Sequence, residues 1–148
     1  MDLSNQMVKI NFLLKEGDSS YPEVAVESLW ASPCDGGAFK IDNIPFFVRG
    51  VSCGDIINAE LDKTGNLYYK KHVFYSKHST FRVVFFDEKS IPFTRQKLKV
   101  MGCSSELSHN SKLIAIDTPS NVVVQKIVSF LAEGEQNGEW EYEEASVW

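Results

Sequence analysis

The chain has 148 residues, 43% of them hydrophobic and 24% charged, with 15 Lys and Arg against 20 Asp and Glu for a formal net charge of −5. This length suits one domain that buries enough surface to need neither metal nor disulfide, and the composition excludes a disordered chain. The negative balance argues against nucleic acid, whose phosphates call for clustered cations, and favours a basic protein surface or a small polar ligand.

The opening residues MDLSNQMVKINF hold no apolar signal core, and no stretch approaches the roughly 18 apolar residues of a membrane span, so a cytoplasmic protein with no membrane partner is expected. Cys34, Cys53 and Cys103 are widely spaced, which is neither a disulfide framework nor a CxxC metal site, so reduced thiols are expected. His72, His78 and His109 lack the spacing of metal ligands, and no metal or cofactor is expected. Ten Phe, five Tyr and three Trp are a heavy aromatic load that packs well on pleated surfaces; Trp30 and Trp140 are expected in the core.

Residues 8–14 alternate apolar and polar and end in the turn-rich stretch 17–20, which predicts a first strand. A second strand is expected over 24–31, closed by Pro33 and the Asp35-Gly36-Gly37 turn, and a third over 39–48. Within that third run Pro45 cannot donate to a ladder and so marks an edge, a bulge or an end. A turn at 50–55 leads to a strand over 56–61, and a turn at 62–66 makes a hairpin with 67–75. Residues 80–86, TFRVVFF, are the most strand-prone run of all. About six closely spaced strands in residues 1–86 predict a small antiparallel barrel or sandwich.

The apolar period then changes. Residues 90–101, with Pro92 in the first turn and Gly102 just beyond, predict a helix. A buried strand follows over 112–117. Pro119 and Gly134 frame a second helix over 119–133 with Val123, Val124, Ile127, Val128 and Leu131 on one face. Residues 139–144, EWEYEE, read as a last strand. The expected class is α+β: a single domain over 1–148 in which the β-rich half, 1–86, merges through a shared strand 80–86 into an α+β half, 80–148. That second half is expected to run β-α-β-α-β in a split βαβ, ferredoxin-like arrangement.

Glu27-Ser28-Leu29-Trp30-Ala31, Asp42-Asn43-Ile44-Pro45-Phe46-Phe47, Gly54-Asp55 and His78-Ser79-Thr80-Phe81-Arg82 occur in that order. Gly102-Cys103, Ala115-Ile116-Asp117-Thr118-Pro119 and Gly138-Glu139-Trp140-Glu141-Tyr142-Glu143-Glu144 follow. From about residue 8 to residue 144 the chain resembles the bacterial family of unknown function numbered 4265 (DUF4265). The resemblance implies a fold and names no activity. Members commonly carry a small residue, often Gly, where this chain has Lys77; a small residue there would allow close backbone approach to a ligand.

Glu27, Asp55 and His78 are the polar side chains in these segments best suited to acid–base chemistry. Their structural alternatives are a carboxylate accepting loop N–H groups for Glu27 and a turn cap for Asp55. Cys53, in a predicted turn, is a nucleophile candidate if His78 serves as its base. Tyr68-Tyr69-Lys70-Lys71 mixes rings and cations as some RNA-binding strands do, and equally as a solvated edge that discourages strand pairing. Alternation over 139–144 puts Glu139, Glu141 and Glu143 on one face as a solvated row, opposite Trp140 and Tyr142. Trp148, after this acidic run, is either frayed or an anchor for a basic partner. Two expectations result. The first is a non-enzymatic, small acidic inhibitor, such as an immunity protein that neutralises a basic toxin domain through Glu139, Glu141, Glu143 and Trp148. The second is an enzyme or small-ligand binder that uses Glu27, Asp55 and His78 in a cleft between the halves.

Overall fold

The structure is a computed structural model that describes residues 6–15 and 25–148; the turn expected at 17–20 and residue 24 lie outside these. The chain divides into two compact units, Met1–Ser76 and Lys77–Trp148.

In the first unit β1 (Val8–Leu13), β2 (Val26–Pro33), β3 (Phe39–Ile41), β4 (Ile56–Leu61) and β5 (Leu67–Phe74) form a closed ring. Successive strands pair antiparallel, and a parallel pairing of β1 with β5 closes the ring. The two-residue period of each strand fills the interior with Ile10, Phe12, Leu29, Ala31, Ile41 and Ile57. That period overturns the core placement of Trp30. Glu27, Leu29 and Ala31 are buried, and Trp30 stands between the last two on the outer face, 45% exposed, with Lys9 Nζ 5.1 Å from its ring.

The third strand is shorter than expected. Pairing stops at Ile41, and residues 42–48 leave the ladder. Asp42 donates its N–H to the Trp30 carbonyl, and Asn43 Oδ1 accepts the Trp30 N–H at 2.6 Å, so one side chain replaces the ladder bond that a strand residue would have made. Pro45 sits in the irregular stretch that follows.

The second unit holds β6 (Ser79–Phe85), α1 (Ile91–Val100), β7 (Ser104–Leu107), β8 (Leu113–Thr118), α2 (Val124–Gln136) and β9 (Trp140–Ser146). The strands lie in the order β7-β8-β6-β9 with antiparallel neighbours, and the strand expected at 80–86 appears as β6, paired with β8 and β9. The expected β-α-β-α-β order is corrected to β-α-β-β-α-β. The added strand, β7, reads SSEL; four mostly polar residues at a sheet edge give no apolar period to detect. Phe81, Val83, Ile114 and Ile116 of the sheet pack with Ile91 and Leu98 of α1 and with Ile127 and Leu131 of α2.

Helix α1 matches its expected limits, with a turn over Glu88–Ser90 capped by the Asp87 side chain and Gly102 at φ 98 beyond its end. Helix α2 is displaced toward higher numbers. Pro119 closes a separate turn through its carbonyl and the Val122 N–H, and the helix runs past Gly134 to stop before Gly138 at φ 73. No helix among the described residues is long and apolar enough to cross a membrane.

Candidate functional site

Glu27 faces the same side of β2 as Leu29 and is 7% exposed. Its Oε2 accepts the Phe46 N–H at 2.7 Å, and its Oε1 accepts those of Phe47 at 3.1 Å and Val48 at 2.8 Å. Three N–H donors satisfy a carboxylate and hold the stretch that left the ladder after β3. Glu27 is a structural clamp.

Asp55 precedes β4 and is 1% exposed. Oδ2 accepts the Ser52 N–H at 3.0 Å and faces His72 Nε2 at 2.8 Å; Oδ1 accepts the Ser76 N–H and hydroxyl, both at 2.9 Å. Burial opposes ionisation, yet the bonds from His72, Ser76 and Ser52 together outweigh it and hold the carboxyl below the ordinary aspartate range. An anion with four donors requires His72 to carry its proton on Nε2. In the neutral imidazole Nδ1 is then an acceptor, and the Tyr69 hydroxyl lies 2.9 Å from it. Tyr75 stacks on the His72 ring at 4.2 Å and 6°, and Tyr69 stacks on Phe12 at 5.1 Å. The result is a carboxylate–imidazole–phenol line that runs outward from the barrel.

Sequence reasoning missed two of its three members. Residues three apart on a regular strand point to opposite faces. A register shift between Asn58 and Ala59 opposes two residues of β4 with Tyr69 and Lys71 of β5, so Lys70 is an extra residue, and the bulge turns Tyr69 and His72 to one side. No pattern of residue types announces such a bulge.

The lowered pKa of Asp55 has a measurable sign. A folded-state pKa below the unfolded one adds stability that is present above the unfolded value, about pH 4, and is lost as pH falls through the folded one. Melting curves of wild type and Asp55→Asn, followed from about pH 7 to about pH 2, should converge in acid because only the wild type loses this contribution. Curves that stay parallel would refute it.

His78 lies just before β6 with Nδ1 2.9 and 3.0 Å from the two Asp117 oxygens. Its side chain is 26% exposed and that of Asp117 8%. Cys53 Sγ is 3.9 Å from the Ile41 carbonyl, and Cys103 is buried with Sγ 3.3 Å from Thr118 Oγ1. Burial pushes the Cys103 thiol up against a lowering bond from Thr118, and Asp117 adds to the rise, which makes an inert thiol. The three cysteines are free thiols. Glu27, Asp55, His78 and Cys53 therefore each have partners of their own: the 46–48 backbone, the Ser52–His72–Ser76 set, Asp117, and the Ile41 carbonyl. Lys77 has φ 64, the one positive value off glycine among the described residues. That conformation by itself accounts for a preference for Gly at this position.

On β9 the expected carboxylate row is broken. Arg82 and Glu143 face each other across the β6–β9 ladder, and Arg82 Nε lies 2.7 Å from Glu143 Oε1 with the arginine side chain 2% exposed. Glu143 is thus committed to a buried cation, whereas Glu139, Glu141 and Glu144 are exposed. Trp140 is buried as expected. Trp148 is 49% exposed, and its N–H donates to Ser79 Oγ at 3.0 Å. Among the described residues no group of three or more His, Cys, Asp and Glu is placed to hold a metal ion.

The model of a family described as "Domain of unknown function (DUF4265)" matches residues 27–142. No curated protein matches the sequence. A hypothetical protein from Neisseria gonorrhoeae, known from its crystal structure, is similar in fold with a TM-score of 0.75 at 16% identity, over 97% of this chain and 95% of that one.

Proposed function

This chain belongs to the DUF4265 family, and on that premise we propose that it is a partner-binding protein of the inhibitor type, an immunity protein that occupies a basic toxin domain in the cytoplasm. The observation that carries the reading is the setting of Trp148. Its backbone is pinned to Ser79, its ring is half exposed, and it follows the edge strand β9, whose Glu141 and Glu144 are exposed, as is Glu139 just before the strand. A held aromatic among exposed carboxylates suits a hot spot for a cationic surface. We read the second unit as the ferredoxin-like split βαβ arrangement, a reading supported by the order β7-β8-β6-β9, in which the helix-linked strands β6 and β7 flank β8.

The test uses the gene beside this one. Expressed alone, its product should arrest a bacterial host; co-expression of this chain should restore growth. Trp148→Ala should weaken the purified complex by about 2 kcal/mol, roughly thirtyfold in Kd. Glu139→Gln with Glu141→Gln should slow association and flatten its salt dependence. A harmless neighbour, or a complex indifferent to these changes, overturns the reading.

A further inference from the structure

The Asp55–His72–Tyr69 line has an order that a merely structural network does not need. Its carboxylate and imidazole side chains are 2% and 6% exposed, while Tyr69 is 36% exposed, so the polar chain ends on its most solvent-exposed member. The donors around Asp55 also give the line a direction. Ser52 and Ser76 donate to Asp55, the His72 Nε2–H donates to it as well, and in the neutral imidazole Nδ1 is left to accept from the Tyr69 hydroxyl. Stacking of Tyr75 on His72 and of Phe12 on Tyr69 holds both rings in place. A buried carboxylate that orients an imidazole whose other nitrogen accepts from a hydroxyl is the logic by which a weak nucleophile is activated.

We propose that Tyr69 is an acyl-accepting nucleophile, with His72 as its base and Asp55 as the group that orients and neutralises the imidazolium. The proposal stands apart from the partner-binding reading and does not need it. The donor is a neutral activated acyl compound, a thioester or an aryl ester. Burial pushes the Tyr69 phenol up, and Tyr75 and Asp55 add to this against a lowering hydrogen bond from the His72 backbone. A standing phenolate is therefore disfavoured, and the proton must leave as the new bond forms. The same negative field from Asp55 disfavours anionic phosphoryl donors and leaves neutral carbonyls as the matching electrophile. In the step, Tyr69 Oη bonds to the carbonyl carbon and its proton passes to His72 Nδ1. The carbon–sulfur or carbon–oxygen bond of the donor then breaks, and the leaving thiolate or phenolate takes that proton back. The products are O-acyl-Tyr69 and a free thiol or phenol, with no oxidant or reductant involved.

The probe is 4-nitrophenyl acetate on the intact chain, with acetylation sites read by peptide mapping after timed quenching. Tyr69 should acetylate about tenfold or more faster than Tyr68 and Tyr75 in the same molecule, and His72→Gln should abolish that lead. Asp55, Tyr69 and Tyr75 are the titratable groups that face His72. Should His72→Gln fail to fold, the wild-type pH profile decides. The Tyr69 rate should level off once the imidazole is neutral, while Tyr68 keeps rising about tenfold per pH unit with its phenolate fraction. Equal rates at Tyr69 and Tyr68, an unchanged lead in His72→Gln, parallel pH profiles, or acetyl resting on His72 alone would each overturn the proposal.

Discussion

Glu27→Ala should destabilise the chain by about 3–5 kcal/mol, enough to leave much of it unfolded at growth temperature. The alanine removes the acceptor shared by the Phe46, Phe47 and Val48 N–H groups, in a place where Val48 is 6% exposed and water replaces the carboxylate poorly. Each donor stripped of its acceptor costs about 1–3 kcal/mol, and one bonded to a charged group lies toward the upper end. Glu27→Gln should cost less, about 1–3 kcal/mol. Its carbonyl can serve Phe47 and Val48 in the position of Oε1, while its amide nitrogen then faces the Phe46 donor. Urea denaturation of both variants checks the order, alanine worse than glutamine and both worse than wild type. An alanine variant as stable as wild type would return Glu27 to the acid–base candidates.

The clamp also shows which parts of the molecule the sequence makes legible. Strand positions were readable wherever a two-residue period met an apolar interior, as at 56–61, and the first helix was readable because Pro92 and Gly102 bracket it. The failures have physical causes. Residues 42–48 have the composition of a strand, but side chains of Glu27 and Asn43 take over the hydrogen bonds that a ladder would have supplied. Trp30 is hydrophobic enough for a core, yet its parity in β2 belongs to the outer face. Glu143 alternates with the right neighbours for a solvated row, and what removes it is a residue 61 positions away, Arg82, opposite it in the register. The candidate site divides in the same way. Asp55 was visible as a polar residue in a turn; Tyr69 and His72 joined it through a bulge, which depends on how β4 and β5 slide past each other.

Gly134 is where a local rule and the tertiary structure disagree in sign. By position alone Gly134→Ala should stabilise: the residue is inside α2, and alanine is favoured over glycine in a helix by about 1 kcal/mol. By sequence the glycine reads as the end of the helix. It is neither a stop nor a flaw, because a Cβ at this position would run into the six-membered ring of the Trp140 indole. The indole has little room to retreat. Its Nε1–H donates to the Leu131 carbonyl at 2.9 Å, and its faces and edges meet Phe85 at 5.4 Å and Phe130 at 5.7 Å between centroids. Overpacking should therefore win over helix propensity, with a net cost of about 2–3 kcal/mol, which for a chain of this size lowers Tm by roughly 5–10 °C. A double-mutant cycle separates the two contributions. Trp140→Leu alone should be costly because it empties the space beside α2, but in that background Gly134→Ala has nothing to strike and should be neutral or stabilising. The coupling between the two changes should then have the sign of a relieved clash. Were Gly134→Ala to raise the melting temperature in the presence of Trp140, the indole would not be seated against α2, and the helix would be ending where the glycine first suggested.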